Sequence, residues 1–241
     1  MNRASSLRMP LRIAASLACA ACALGSTAGA QVQGRLPAQS VLRDINESQR
    51  FGVFTGWLTT SADPVGVRGH SAPMLGVRYD VLMGSPAYFS MRAFAVKSDH
   101  DVVNPNLPSA NRVVGTASNN QLAFDASFHL SLTGARAWRG VQPLVHVGIG
   151  AIAGVANQFD EGKYAPGASV LYSYGLATRF PTGKNGEFRA DLGWLIYQMR
   201  YPTAFRTTTA VNDVAPRPNG SMTPLTSNRA ITVSWTWGIF R

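Results

Sequence analysis

The sequence predicts an all-β fold: an eight-stranded antiparallel up-and-down transmembrane β-barrel. Three observations predict it. Eight short stretches alternate apolar and polar residues, the connectors between them alternate short and long, and an export signal precedes them. Successive strand side chains point to opposite faces, so strict alternation gives each stretch one apolar and one polar side. The clearest case sets Leu122, Phe124, Ala126, Phe128, Leu130 and Leu132 against Ala123, Asp125, Ser127, His129 and Ser131.

The first 30 residues read as a cleaved signal. Arg3, Arg8 and Arg12 form a basic segment, Ile13 to Leu24 a small-residue apolar core, and Ala28-Gly29-Ala30 a cleavage pattern with the cut after Ala30. That apolar run, about 12 residues, is too short for a spanning helix. Both cysteines, Cys19 and Cys22, fall inside it. Neither has an aliphatic residue three positions earlier, as an acylated first cysteine would require. The chain after residue 30 then has no disulfide, thiolate metal site or thiol nucleophile. The formal charge of +10 becomes +7 once the three signal arginines are removed. Residues 31–49, with Pro37, read as a periplasmic leader containing a short helix near Ser40 to Glu47, and residues 50–241 as the barrel domain.

The first strand is expected over Phe51–Thr60, with Trp57 and the glycines at 52 and 56. The second, Met74–Met83, sets Leu75, Val77, Tyr79 and Val81 against Gly76, Arg78 and Asp80. The third, Ala87–Lys97, sets Phe89, Met91, Ala93 and Ala95 against Ser90, Arg92 and Phe94. The fourth spans Gln121–Leu132, and the fifth, Gln142–Val155, carries His146 on its polar side. The sixth, Ser169–Phe180, has Arg179 on that side, and the seventh, Glu187–Tyr201, has Arg189 and Asp191. The eighth, Ala230–Arg241, sets Ile231, Val233, Trp235, Trp237 and Ile239 against Thr232, Ser234, Thr236 and Gly238. Most are about 10 to 13 residues, the length with which a tilted strand crosses a bilayer.

Short or moderate connectors fall at 84–86, 133–141 and 181–186, and long ones at 61–73, 98–120, 156–168 and 202–227. Short turns at one end and long loops at the other match outer-membrane barrels, with the short end periplasmic. A soluble barrel would alternate too, but it would fill its interior with large apolar groups. Here the polar face carries small residues and opposed charges, while tryptophan and tyrosine stand near strand ends as an interfacial girdle would.

On these features the chain resembles the small outer-membrane β-barrel superfamily of Gram-negative bacteria, the group of the OmpA transmembrane domain and OmpX-like and OmpW-like proteins. The resemblance covers about residues 50–241 and rests on pattern. It implies outer-membrane lipid and lipopolysaccharide as surroundings, and a barrel-assembly machinery that reads a terminal aromatic. Phe240 is penultimate and out of phase with Trp235, Trp237 and Ile239. No basic helix or recognition motif calls for nucleic acid.

The candidate site is a polar cluster inside the barrel: Arg78, Asp80, Arg92, Asp125, His129, His146, Arg179, Arg189 and Asp191. Eight strands leave an interior just wide enough for side chains to fill, so these charges must pair. His129 and His146 lie equidistant from a hairpin centre between 137 and 138, which sets them opposite each other. Two imidazoles beside Asp125 could hold a metal or shuttle a proton, yet no third ligand stands at a suitable spacing. No GxSxG, HExxH or phosphate loop occurs in context. The expectation is therefore no catalysis, no metal and no cofactor, with a structural or surface-interaction role. A narrow channel for small or hydrophobic solutes and a lipid-modifying enzyme are the alternatives. The loops, with Arg112, Arg206, Arg217 and Arg229, are expected to be solvated and variable.

Overall fold

The computed structural model describes residues 42–44, 49–63, 65–134, 136–155, 167–182, 186–208 and 213–240. The expected export signal and most of the expected leader lie outside them, as does the connector over 156–166. The strands are β1 (Leu42–Asp44), β2 (Gln49–Thr59), β3 (Ala72–Gly84), β4 (Ala87–Val103), β5 (Val113–Ser131), β6 (Arg136–Trp138), β7 (Gln142–Val155), β8 (Ala168–Thr182), β9 (Gly186–Gln198) and β10 (Leu225–Phe240). The eight long ones form a closed barrel in the order β10-β2-β3-β4-β5-β7-β8-β9, every neighbour antiparallel. Closure pairs every edge, so the ladder is complete without disulfides. This up-and-down meander is the fold that the resemblance implies.

The alternation sorts the faces as the sequence predicts. On β5, Leu122, Phe124 and Phe128 are exposed on the outer wall, while Ala123, Asp125, Ser127, His129 and Ser131 are buried inside. Bulges accommodate the ends: a register shift between Gly238 and Phe240 sets Phe240 opposite Gln49, which answers the phase slip read from the terminus.

Four expectations are corrected. The leader helix near 40–47 is, over its described residues, the strand β1, whose backbone pairs with β6: Leu42 opposite Trp138 and Asp44 opposite Arg136. Pairing with an extended turn segment overrides local helix propensity there. The loop expected over 98–120 is mostly strand, because β4 and β5 stay in register from Lys97–Asn120 out to Val102–Gly115, where a register shift sets Val103 opposite Val113. Hydrophobic periodicity misses this extension because both its faces carry polar residues. His100, expected in that loop, is a buried residue of β4. Likewise β10 begins at Leu225, so Arg229 belongs to a strand, and β9 ends at Gln198.

The interior has two layers rather than one polar filling. Toward the long loops, Phe54, Leu58, Met74, Phe94, Val96, Ile152, Leu171 and Leu195 form an apolar plug, with Phe54 and Phe94 edge to face at 6.1 Å. Each such side chain contributes about 1.5–3 kcal/mol on burial. Toward the short turns the interior is charged.

Candidate functional site

All nine predicted cluster residues lie on the inward face and are buried. The pairing comes from strand register. Arg92 of β4 stands opposite Asp125 of β5. The guanidinium donates from Nε to Asp125 Oδ1 at 2.8 Å and from Nη2 to Oδ2, a two-point grip. Arg78 donates from Nη1 to Asp191 Oδ2 at 3.2 Å, from Nη2 to Asp80 Oδ1 at 3.3 Å and to Ser90 Oγ at 3.3 Å. Arg189 holds Asp191 Oδ1 at 2.9 and 2.6 Å and approaches Asp80 Oδ2 at 3.7 Å. Three arginines thus meet three aspartates, with Asp80 and Asp191 shared between Arg78 and Arg189. Glycines make the room: a side chain at Gly175 would lie 2.9 Å from His146 Cε1.

Arg179 belongs to a second group nearer the short turns. Its Nε donates to Glu187 Oε1 at 2.6 Å and its Nη1 to Gln142 Oε1 at 3.0 Å, while its guanidinium lies 4.7 Å over the Tyr88 ring. Arg50 closes this group by an ion pair with Glu187. Arg50, Glu187 and Gln142 were missed in the sequence. Both Arg50 and Glu187 sit at strand ends, where a charge reads as turn chemistry. Their parity was the available signal, since Arg50 is in phase with Gly52 and Phe54, and Glu187 with Arg189 and Asp191.

His129 and His146 are register partners, as the hairpin arithmetic predicts, and their rings stack at 4.8 Å. Arg189 Nη2 lies 3.1 Å from His129 Nδ1 and can only donate, so Nδ1 accepts and the ring proton is on Nε2. That Nε2 lies 2.9 Å from Ser127 Oγ and donates to it. Serine activation needs the reverse: an imidazole that takes the hydroxyl proton, backed by a carboxylate. Here a cation backs the ring and the serine is buried. Ser131, the next residue on the inward face after His129, accepts from Gln142 Nε2 at 3.0 Å. With both His129 nitrogens engaged, no lone pair is free for a metal, and no cluster of three metal-type ligands occurs among the described residues.

The loop arginines are not loosely solvated. Arg112 Nη2 donates to Val214 O at 2.7 Å and pairs with Asp213 at 3.4 Å. Arg206 donates to Pro218 O and Gly220 O, and Arg217 lies 4.3 Å over the Tyr201 ring. Beneath them Val67, Val103, Met199, Tyr201 and Phe205 form a small core of their own. Asp63 organises its edge, accepting from Tyr201 Oη at 2.5 Å and Arg68 N at 3.0 Å. Burial, and then the hydrogen bond to Asp63, hold the Tyr201 hydroxyl above the ordinary tyrosine range. A raised folded-state pKa contributes stability that is present below the unfolded value, about 10, and lost as pH rises beyond it. Limited proteolysis of the loops should therefore accelerate above about pH 10, and Tyr201→Phe should abolish that acceleration.

No protein family and no curated protein matches the chain. Six chains of solved structure match it, among them the N-terminal β-barrel domain of Pseudomonas aeruginosa OprF, at 12% identity and a TM-score of 0.39, covering 79% of this chain and 98% of that one.

Proposed function

We propose that the chain is an integral outer-membrane barrel with a structural or surface-interaction role and no catalysis. The observation that carries this reading is the outward apolar belt. Phe188 to Ile196 on β9 and Ile231 to Ile239 on β10 each place five outward residues over nine positions. At about 3.3 Å per residue and a tilt near 40°, nine residues rise about 23 Å. That matches the apolar band of about 25 Å on such barrels. Leu75 is 66% exposed, Val147 61% and Leu122 58%, and the belt continues around the wall. A water-soluble protein does not leave so large a patch uncovered. The basic residues at the long-loop end suit anionic headgroups outside.

Against an open channel stands the lumen itself. The apolar plug lies across one half, the paired charges fill the other, and the space beside Arg92, His146 and Ser173 is only about 10 Å³, room for one water. Against a lipid-modifying enzyme stands the buried, cation-backed Ser127–His129 pair. Heat-modifiable gel mobility of protein extracted from washed outer membranes tests the reading. The folded form should resist detergent unheated and shift on boiling, with negligible conductance in a planar bilayer. A periplasmic protein without a shift would overturn the membrane assignment, and steady conductance would revive the channel.

A further inference from the structure

At the long-loop end, next to the apolar plug, a small cavity opens between β5, β7, β8 and β9. Its buried lining is polar: Asn119, Gln121 and Tyr197 stand beside Ile152 of the plug. About 20 Å³ is enclosed there, room for one water-sized group, and the space including the open mouth is about 420 Å³. Gly69 allows the close approach at one wall, since a Cβ there would lie 2.7 Å from Asn119 Nδ2.

Asn119 is the unusual member of this lining. It is 2% exposed, yet neither its Oδ1 nor its Nδ2 has a hydrogen-bond partner among the described residues. Buried amides are otherwise bonded, so one held in this state at a cavity wall calls for a group from outside. Register accounts for its isolation. The β5–β7 pairing ends at Asn120–Val155, so Asn119 stands just past the last rung. Ser98, opposite it on β4, bonds only its backbone carbonyl. Acceptor and donor lie side by side whichever way the amide is turned. A second primary carboxamide meets both at once in a two-point ring. A carboxylate has no donor to offer, and a trans secondary amide points its N–H and C=O apart.

The mouth of the cavity is cationic. Arg200 is exposed and makes no hydrogen bond or ion pair among the described residues. Arg68 is anchored by Nε to Met199 Sδ at 3.1 Å and by Nη1 to Ser61 O at 2.6 Å, which leaves Nη2 uncommitted. No carboxylate stands among the described lining residues. Asp63, an acid of the same loop as Arg68, is taken up by Tyr201 Oη and by the backbone N–H groups of Val65 and Arg68. Two guanidiniums without an acid between them favour a carboxylate and repel an ammonium group.

We infer that this cavity is a binding site for a small carboxylate whose other end is a primary amide. The amide is held by Asn119 inside, and the carboxylate by Arg68 and Arg200 at the mouth. The site needs only the folded barrel, and it goes beyond the role proposed above.

The test is titration calorimetry of the full chain refolded in neutral detergent, with succinamate, succinate and succinamide as probes. Succinamate should bind saturably at one site. Succinate, which lacks the amide, and succinamide, which lacks the charge, should each bind about tenfold more weakly. Arg200→Gln should weaken succinamate about tenfold and leave succinamide unchanged. Asn119→Leu should weaken both probes, while its folded gel band survives heating at least as well as the parent's, because only an unpartnered polar group is lost. Arg200 is exposed, so its variant keeps the test decisive if Asn119→Leu folds poorly. Equal binding of succinate overturns the amide contact, and equal binding of succinamide overturns the cationic mouth. No saturable heat from succinamate overturns the site. A protein that binds succinamate but is found soluble in the periplasm fails the membrane reading alone.

Discussion

Asp125→Ala will cost the barrel about 3–5 kcal/mol, the range measured when one partner of a buried ion pair is removed. The aspartate is fully buried, and it takes both arms of Arg92. Without it a guanidinium remains in the lumen opposite a methyl group, and the opposite strand offers no replacement. On β7 the residue facing Asp125 is Gly150. Arg78, the register neighbour of Arg92 on β3, adds like-charge repulsion. The temperature at which the folded gel band disappears should fall markedly. A double variant, Arg92→Leu with Asp125→Leu, should recover much of the loss, because it removes the stranded charge along with its partner. An unchanged unfolding temperature for Asp125→Ala would mean that the lumenal charges are solvated and that the interior is wetter than described.

Gly150→Val should be more damaging still. A Cβ built there runs into the carbonyl oxygen of Phe124 and lies 2.6 Å from the Asp125 Cα. These are backbone atoms of the neighbouring strand, so no rotamer change relieves the clash. Either β7 and β5 separate at this point or the pairing slips, and both break a closed ladder. Little or no heat-shifted species should be recovered on refolding into detergent. Gly115 is the control, because nothing lies within 4 Å of a side chain added there. Gly115→Val should refold like the parent.

The two effects separate what the sequence makes legible from what it hides. Outward rows could be read directly, since the pleat imposes a period of two on every strand. The limits of β7 and the meeting of His129 with His146 followed from that period and one turn. The apolar plug was hidden because alternation records only a change of chemistry between faces. At the long-loop end Phe54 and Leu58 are apolar inside while Val53 and Trp57 are apolar outside, so the signal fades where the core is densest. The outer half of the β4–β5 hairpin was hidden for the opposite reason, with polar residues on both faces. In the candidate site the nine cluster residues could be named from parity, but who holds whom could not. Arg78 reaches Asp191 on β9, 113 positions along the chain, a contact that exists only after closure.

Regarded as a code, the barrel wall is redundant. Sliding β5 by two positions against β4 would still leave apolar residues on the outer wall everywhere: Ala93 would face Leu122 or Ala126 instead of Phe124. The outer wall could not detect the error. The lumen would detect it at once, because Arg92 would face Ala123 or Ser127, and Asp125 would lose both its partner and the notch at Gly150. The ion pairs and glycines therefore act as a checksum on strand register. Their contribution is to make one alignment readable among several that the apolar outer wall would accept, whatever they add to the depth of the native well.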